Sequence, residues 1–226
     1  MQRFPNILTI VFGLTLGGVL MALSVPRTMA AFTLLPVETI LQKVIAGDDV
    51  AADDLLRLRE AQQTSLDWAW SSTVSADMAH TEIALAKVSG RAEDRSDWYD
   101  QAAHTVEDGL LKAPSNPYSW TRLANLRLRN AEKGQGVSEP LLLSLLSGPY
   151  ERSLVLPRLN YALRIWDQLS EEQRMSIQGQ ILIADRIDRG QLVKLAMGHQ
   201  KNMKIIVSAM AGDLNRFKGF IKALNK

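Results

Sequence analysis

Between Ile7 and Val25 the chain carries nineteen consecutive residues without a charge. At a helical rise of about 1.5 Å per residue the run is roughly 28 Å long, close to the hydrocarbon thickness of a bilayer. Pro5 suits an early helical position, and Pro26-Arg27 closes the run. The competing reading is a cleaved signal peptide, with Arg3 in its charged region and Thr28-Met29-Ala30 before the cut. The apolar region of a signal peptide is about 7–15 residues long, which is shorter than this one. Length therefore favours a retained anchor. The expected division is a tip at 1–5, a transmembrane helix at 6–25, a linker at 26–36 and a helical domain at 37–226.

Charge sets the expected orientation. The α-amino group and Arg3 flank one end, and Arg27 alone lies close to the other. The positive-inside rule then places the N-terminus in the cytoplasm and the bulk of the chain across the membrane. Within the run, Gly13 and Gly17 are four residues apart, and Gly18 and Ala22 repeat the spacing. Such small faces let membrane helices approach closely. Glycine is also frequent in membrane helices that have no such partner.

Composition narrows the reading of the chain beyond the anchor. Apolar residues make up 46% of the 226, enough for a sizeable core, and the formal charge of +2 gives no reason to expect nucleic acid. With no cysteine there is no disulfide framework, thiol nucleophile or thiolate metal site. The three histidines, His80, His104 and His199, have no paired spacing, so no metal site is expected. Gly134-Gln135-Gly136 lacks the preceding strand and following lysine of a phosphate loop, and no Gly-x-Ser-x-Gly elbow occurs. Asp185 and Asp188 are interleaved with Arg186 and Arg189, the pattern of a solvated, salt-bridged face. No catalytic residue, cofactor or small-molecule substrate is expected.

Apolar spacing predicts helices almost throughout. They fall at about 37–46, 50–64, 72–88, 98–112, 118–130 and 139–146, with a loop at Arg91–Asp97. Trp68 and Trp70 lie over forty residues from the anchor and are expected in the core. Pro157 is placed in the first turn of a helix carrying Leu159, Ala162, Leu163, Trp166 and Leu169. Ser170 and Gln173 have the spacing of a capping box, before a stripe of Ile177, Ile181, Ala184 and Ile187. From Gln191 one helix reaches Met210 or breaks near Gly198. The last helix, opened by Gly212-Asp213, carries Leu214, Phe217, Phe220, Ile221 and Leu224, with Lys218 and Lys222 on its flank. It either closes the end of the helical stack or touches anionic headgroups or an acidic polymer.

The stretch Ala102–Ala124 is the most structured of these. Ala102, Val106 and Gly109 recur at i, i+4 and i+7, Pro114 forces a turn between Lys112 and Pro117, and Trp120, Leu123 and Ala124 restart the stripe. The series resembles a tetratricopeptide repeat junction, with Val106 in place of the usual aromatic and Arg127 where that family prefers Tyr. The likeness covers about a quarter of the chain. The rest departs from the repeat, with Gly136 and Pro140 in place of the expected Ala and aromatic. The longer run from Pro117-Tyr118-Ser119-Trp120 through Gly148-Pro149-Tyr150 to Gln191-Leu192-Val193 resembles membrane-anchored, tetratricopeptide-like bacterial proteins found with exopolysaccharide or O-antigen machinery. That resemblance implies an all-α fold, with an antiparallel helical array behind an inner-membrane anchor and a periplasmic C-terminal domain. It also implies an accessory scaffold role in polysaccharide export or assembly, and it carries no family site residues. Partner contacts are then expected at a concavity lined by Trp120, Arg127 or Arg164. The alternative is a structural subunit whose anchor packs inside a larger membrane complex through Gly13 and Gly17.

Overall fold

The structure, a computed structural model, describes residues 7–130 and 136–225. Its regular elements are helical, with no strand among the described residues. The tip at 1–5, Arg3, Pro5 and the Gly134-Gln135 half of an expected turn lie outside them. The chain separates into two compact units, Met1–Thr105 and Val106–Lys226. The stretch 37–226, expected as one domain, is thus divided between them, and the division falls inside a helix.

In the first unit, α1 spans Ile7–Leu34 and passes straight through Pro26. The linker expected at 26–36 is therefore helical. Proline removes one intrahelical hydrogen bond, here the one to the Ala22 carbonyl. Packing holds the helix beyond it, because Pro26, Ala30, Thr33 and Leu34 turn one partly or fully buried face inward and α1 packs on α3. Its apolar run is different. Phe12, Leu14, Leu20 and Leu23 are 58–72% exposed and point to several sides of the helix. This helix is long and apolar enough to cross a membrane. A one-turn 3-10 helix at Leu35–Val37 leads into α2 (Glu38–Ala46), which stops at Gly47.

Helices α3 (Ala52–Trp68) and α4 (Ser72–Val88) form an antiparallel pair, and α5 (Ala92–Lys112) comes next. The loop expected at Arg91–Asp97 is the start of α5. Its charge is compatible with helix, because Glu93 and Asp94 occupy the first turn, where carboxylates favour the helix dipole. Leu55, Leu58, Met78, Ala79, Leu85, Ala86, Tyr99 and Ala102 are buried in this unit.

A polar cluster is buried in the same unit. Glu82, on α4, is 0% exposed. Its Oε2 accepts from Thr105 Oγ1 at 2.8 Å and its Oε1 from Arg59 Nε at 2.9 Å. Desolvation pushes the Glu82 carboxyl above its ordinary value, against the lowering effect of Thr105 and Arg59. The Arg59 guanidinium lies 5.5 Å from the centre of the Trp98 ring, within cation–π range. One turn along α3, Gln62 is also buried, and neither end of its amide meets a partner among the described residues.

In the second unit the remainder of α5 is succeeded by α6 (Pro117–Asn130), α7 (Ser138–Ser147), α8 (Arg152–Arg164), a 3-10 turn at Trp166–Gln168, α9 (Glu171–Ile187), α10 (Arg189–Met197), α11 (Gln200–Met210) and α12 (Leu214–Leu224). The break near Gly198 is thus the one adopted. Ser170 and Gln173 form the expected reciprocal cap on α9, with Ile177, Ile181 and Ala184 fully buried below it. Pro157 sits in the second turn of α8, because that helix begins at Arg152. Gly190 lies within the first turn of α10, and the preceding turn is capped instead by Asp188, whose Oδ1 accepts from the Gln191 N–H at 2.9 Å.

Arg158 is the largest fully buried side chain in the unit. It donates to Ser144 Oγ at 2.8 Å, Ser144 O at 2.7 Å and Gly148 O at 2.8 Å. These groups lie at the C-terminal end of α7, so the guanidinium serves as a cationic cap on that helix. Desolvation lowers its pKa, while the charges of Glu151 and Tyr118 act the other way. A Cβ at Gly148 would lie 2.9 Å from Pro117 Cγ, so glycine lets the end of α7 meet the start of α6. On α12, Phe220 is fully buried while Leu214 is 64% exposed. The inward side of that helix therefore centres on Phe220.

Candidate functional site

The turn between α5 and α6 builds a concavity in the second unit. Lys112 ends α5 and Pro117 opens α6, as Pro114 predicts. Asn116 caps α6, its Oδ1 accepting from the N–H groups of Tyr118 at 3.0 Å and Ser119 at 3.3 Å. Pro117 then occupies the first helical position, where its missing N–H costs nothing. This fixes the direction of Trp120 one turn later. Its indole Nε1 donates to the Pro114 carbonyl at 2.7 Å, so the ring folds back over the turn that precedes it.

The half-buried Trp120 ring lines a concavity of about 540 Å³ together with Leu110, Leu111, Leu123, Pro114 and Pro140. Leu111 is 83% exposed. Glu107, Asp108, Glu139 and Arg127 complete the lining, three carboxylates against one guanidinium. Arg127 is held in place, donating to Glu107 Oε1 at 3.0 Å and to the Gly136 carbonyl at 2.9 Å. The lining is thus largely apolar, with the Glu107–Arg127 ion pair and two further carboxylates, Asp108 and Glu139.

No family model, curated protein or solved structure matches the chain.

Trp120 and Arg127 share the concavity. Arg164 does not line it; it is exposed in the last turn of α8, where its charge acts on the partly buried Tyr161 phenol, whose pKa desolvation raises. Lys218 and Lys222 are exposed on α12 and line a separate shallow groove with Phe217, Ile221 and Asn225. Gly13 and Gly17 lie on the exposed run of α1, and a Cβ built on either meets nothing within 4 Å. Among the described residues no group of three or more His, Cys, Asp or Glu could hold a metal ion.

The sequence gives no sign that Glu107, Asp108 and Glu139 share one lining, and it misplaces two tryptophans. Glu107 and Asp108 are adjacent in a charged helix, and no spacing links them to Glu139. Trp68 and Trp70, expected in the core, are 46% and 40% exposed. The helix carrying Trp68 ends there, and both side chains sit at the α3–α4 turn rather than beneath it.

Proposed function

We propose that the protein is a non-catalytic, membrane-anchored adaptor of a bacterial envelope complex. In this reading α1 is its inner-membrane anchor, and its helices form a tetratricopeptide-like array on the periplasmic side. The observation that carries the adaptor role is the Trp120 concavity, where Leu111 is 83% exposed beside a ring held by the Pro114 carbonyl. An apolar patch with an oriented aromatic and carboxylates in its lining suits an extended or helical segment of a partner protein with apolar anchors and basic flanks. The resemblance to proteins of polysaccharide export supports that setting.

A second reading rests on α1, whose Gly13–Gly17 face is open. There the anchor itself packs into a larger membrane complex. The two are separated in the full-length protein in its native membrane, with a photoreactive side chain at Leu111 or at Gly17. The adaptor reading expects an adduct from position 111 that Trp120→Ala abolishes and that high salt weakens. An adduct from position 17 alone would transfer the function to the anchor. A phosphatase fused at Lys226 tests the topology, and should be active.

A further inference from the structure

The turn joining α3 to α4 lies next to the end of the apolar helix, and the two share a surface that the adaptor role leaves unexplained. Arg27, Ala30, Ala31 and Leu34 of α1 line a concavity of about 470 Å³ with Ser65, Ala69, Trp70, Ser71, Ser72 and Val74. Counted from Val25, the last residue of the uncharged run, Arg27 to Leu34 lie about 3–14 Å further along the axis at 1.5 Å per residue. The headgroup layer on each side of the hydrocarbon is about 5–8 Å deep. The wall that Trp70 shares with α1 thus starts at headgroup depth, at Arg27 and Ala30, when α1 spans the bilayer, and continues outward to Leu34.

The chemistry of that level matches. Trp68 and Trp70 are 46% and 40% exposed, and so are Phe32, at 60%, near the end of α1 and Leu35, at 65%, in the 3-10 turn that follows it. Exposed aromatic and aliphatic side chains beside the end of a membrane helix are costly in water and favourable at an interface. Indoles in particular settle at the headgroup level, with the ring toward hydrocarbon and the N–H toward water. Arg27 adds a cation two residues past the uncharged run, where a phosphate would lie. Sequence distance conceals this arrangement, since over forty residues separate the run from the tryptophans, and the packing of α3 on α1 brings them together.

We propose that the α3–α4 turn, Trp68 to Ser71, is an interfacial anchor that seats in the phospholipid headgroup layer beside Arg27. The inference rests on the membrane reading of α1. The turn then faces the bilayer, and the first unit rides on the membrane surface at a second point of attachment.

The chain has no cysteine, so a single introduced one takes a nitroxide label unambiguously. Full-length protein is reconstituted in vesicles of phosphatidylethanolamine and phosphatidylglycerol with a label at Leu14→Cys, Ser72→Cys or Val88→Cys. Depth is read from collision with oxygen against a water-soluble nickel complex. Ser72 is exposed in the turn and its replacement keeps both tryptophans, while Val88 ends the same helix away from the turn. The expected order is a deep label at 14, a headgroup-depth label at 72 and a fully aqueous label at 88. Trp68→Ser with Trp70→Ser should then shift the label at 72 toward water and leave that at 14 unmoved. An aqueous label at 72 with a deep label at 14 overturns the interfacial anchor and leaves the membrane span standing. An aqueous label at 14 overturns both.

Discussion

Glu82 allows a test of what decides the energy of a buried carboxylate in the first unit. Thr105→Val keeps the shape of the side chain and deletes the hydroxyl that donates to Oε2 at 2.8 Å. An acceptor left unpaired in a buried site costs about 1–3 kcal/mol, toward the upper end when it is charged. In a chain of this length that corresponds to a loss of about 2–12 °C in Tm. Glu82→Gln acts differently. Its amide oxygen still accepts from Arg59 Nε, its NH2 reaches Thr105 Oγ1, and the charge whose burial raises the carboxyl pKa is gone. We expect Glu82→Gln to match or exceed the wild type at neutral pH. The pH dependence comes from the direction of the shift. With its folded value raised above the ordinary 4.5, the native state holds the Glu82 proton to higher pH than the unfolded chain does. Stability from this group therefore falls as pH rises from the ordinary value through the folded one. Thermal melts of the full-length proteins in mild detergent, monitored by helical circular dichroism across that range, should show Glu82→Gln gaining on the wild type as pH increases. A wild type that gains on Glu82→Gln instead would mean that the Arg59 ion pair outweighs desolvation, and would refute the reasoning.

Gln62→Leu should stabilise the protein by about 1–3 kcal/mol, since both amide ends of Gln62 are buried without partners among the described residues, and the same melts measure it. Gly219→Ala should destabilise by about 1–3 kcal/mol, although alanine ordinarily favours a helix by about 1 kcal/mol. The added Cβ would lie 2.6 Å from Arg189 Nη1, and Arg189 is held by two bonds to the buried Asp185, at 2.6 and 2.9 Å. Arg189→Ala should remove the penalty, which a double-mutant cycle reads directly.

The legible parts of the fold are those written in local chemistry. Ser170 and Gln173 cap α9 because their spacing lets each side chain reach the other's backbone, and Pro114 ends α5 because its ring cannot continue a helix. The uncharged run from Ile7 announces α1 in the same way. The illegible parts depend on what comes to lie alongside. Arg91–Asp97 is polar on every side and so looks like loop, yet a first turn in water needs no apolar face when its carboxylates meet the helix dipole. Pro26 looks like a terminus, and only the packing of Ala30 and Leu34 beyond it shows why the helix persists. At the candidate site, Trp120 and Arg127 stand out as a match and a departure in one motif, while Glu139 joins them from another helix. Glu82 is invisible as a buried residue, because a charge in the middle of a helix ordinarily faces water.

The unbroken passage of α1 through Pro26 has a mechanical consequence. A flexible linker over residues 26–36 would average about 17–20 Å from end to end and transmit no direction. A continuous helix transmits both tilt and rotation, like a crankshaft fixed to its load at Ala30 and Leu34. An apolar helix tilts to match the hydrocarbon thickness around it. On the membrane reading, a thinner or thicker bilayer would swing the α3–α4 layer through the same angle as α1. Lipid thickness then becomes an input to which way the first unit faces.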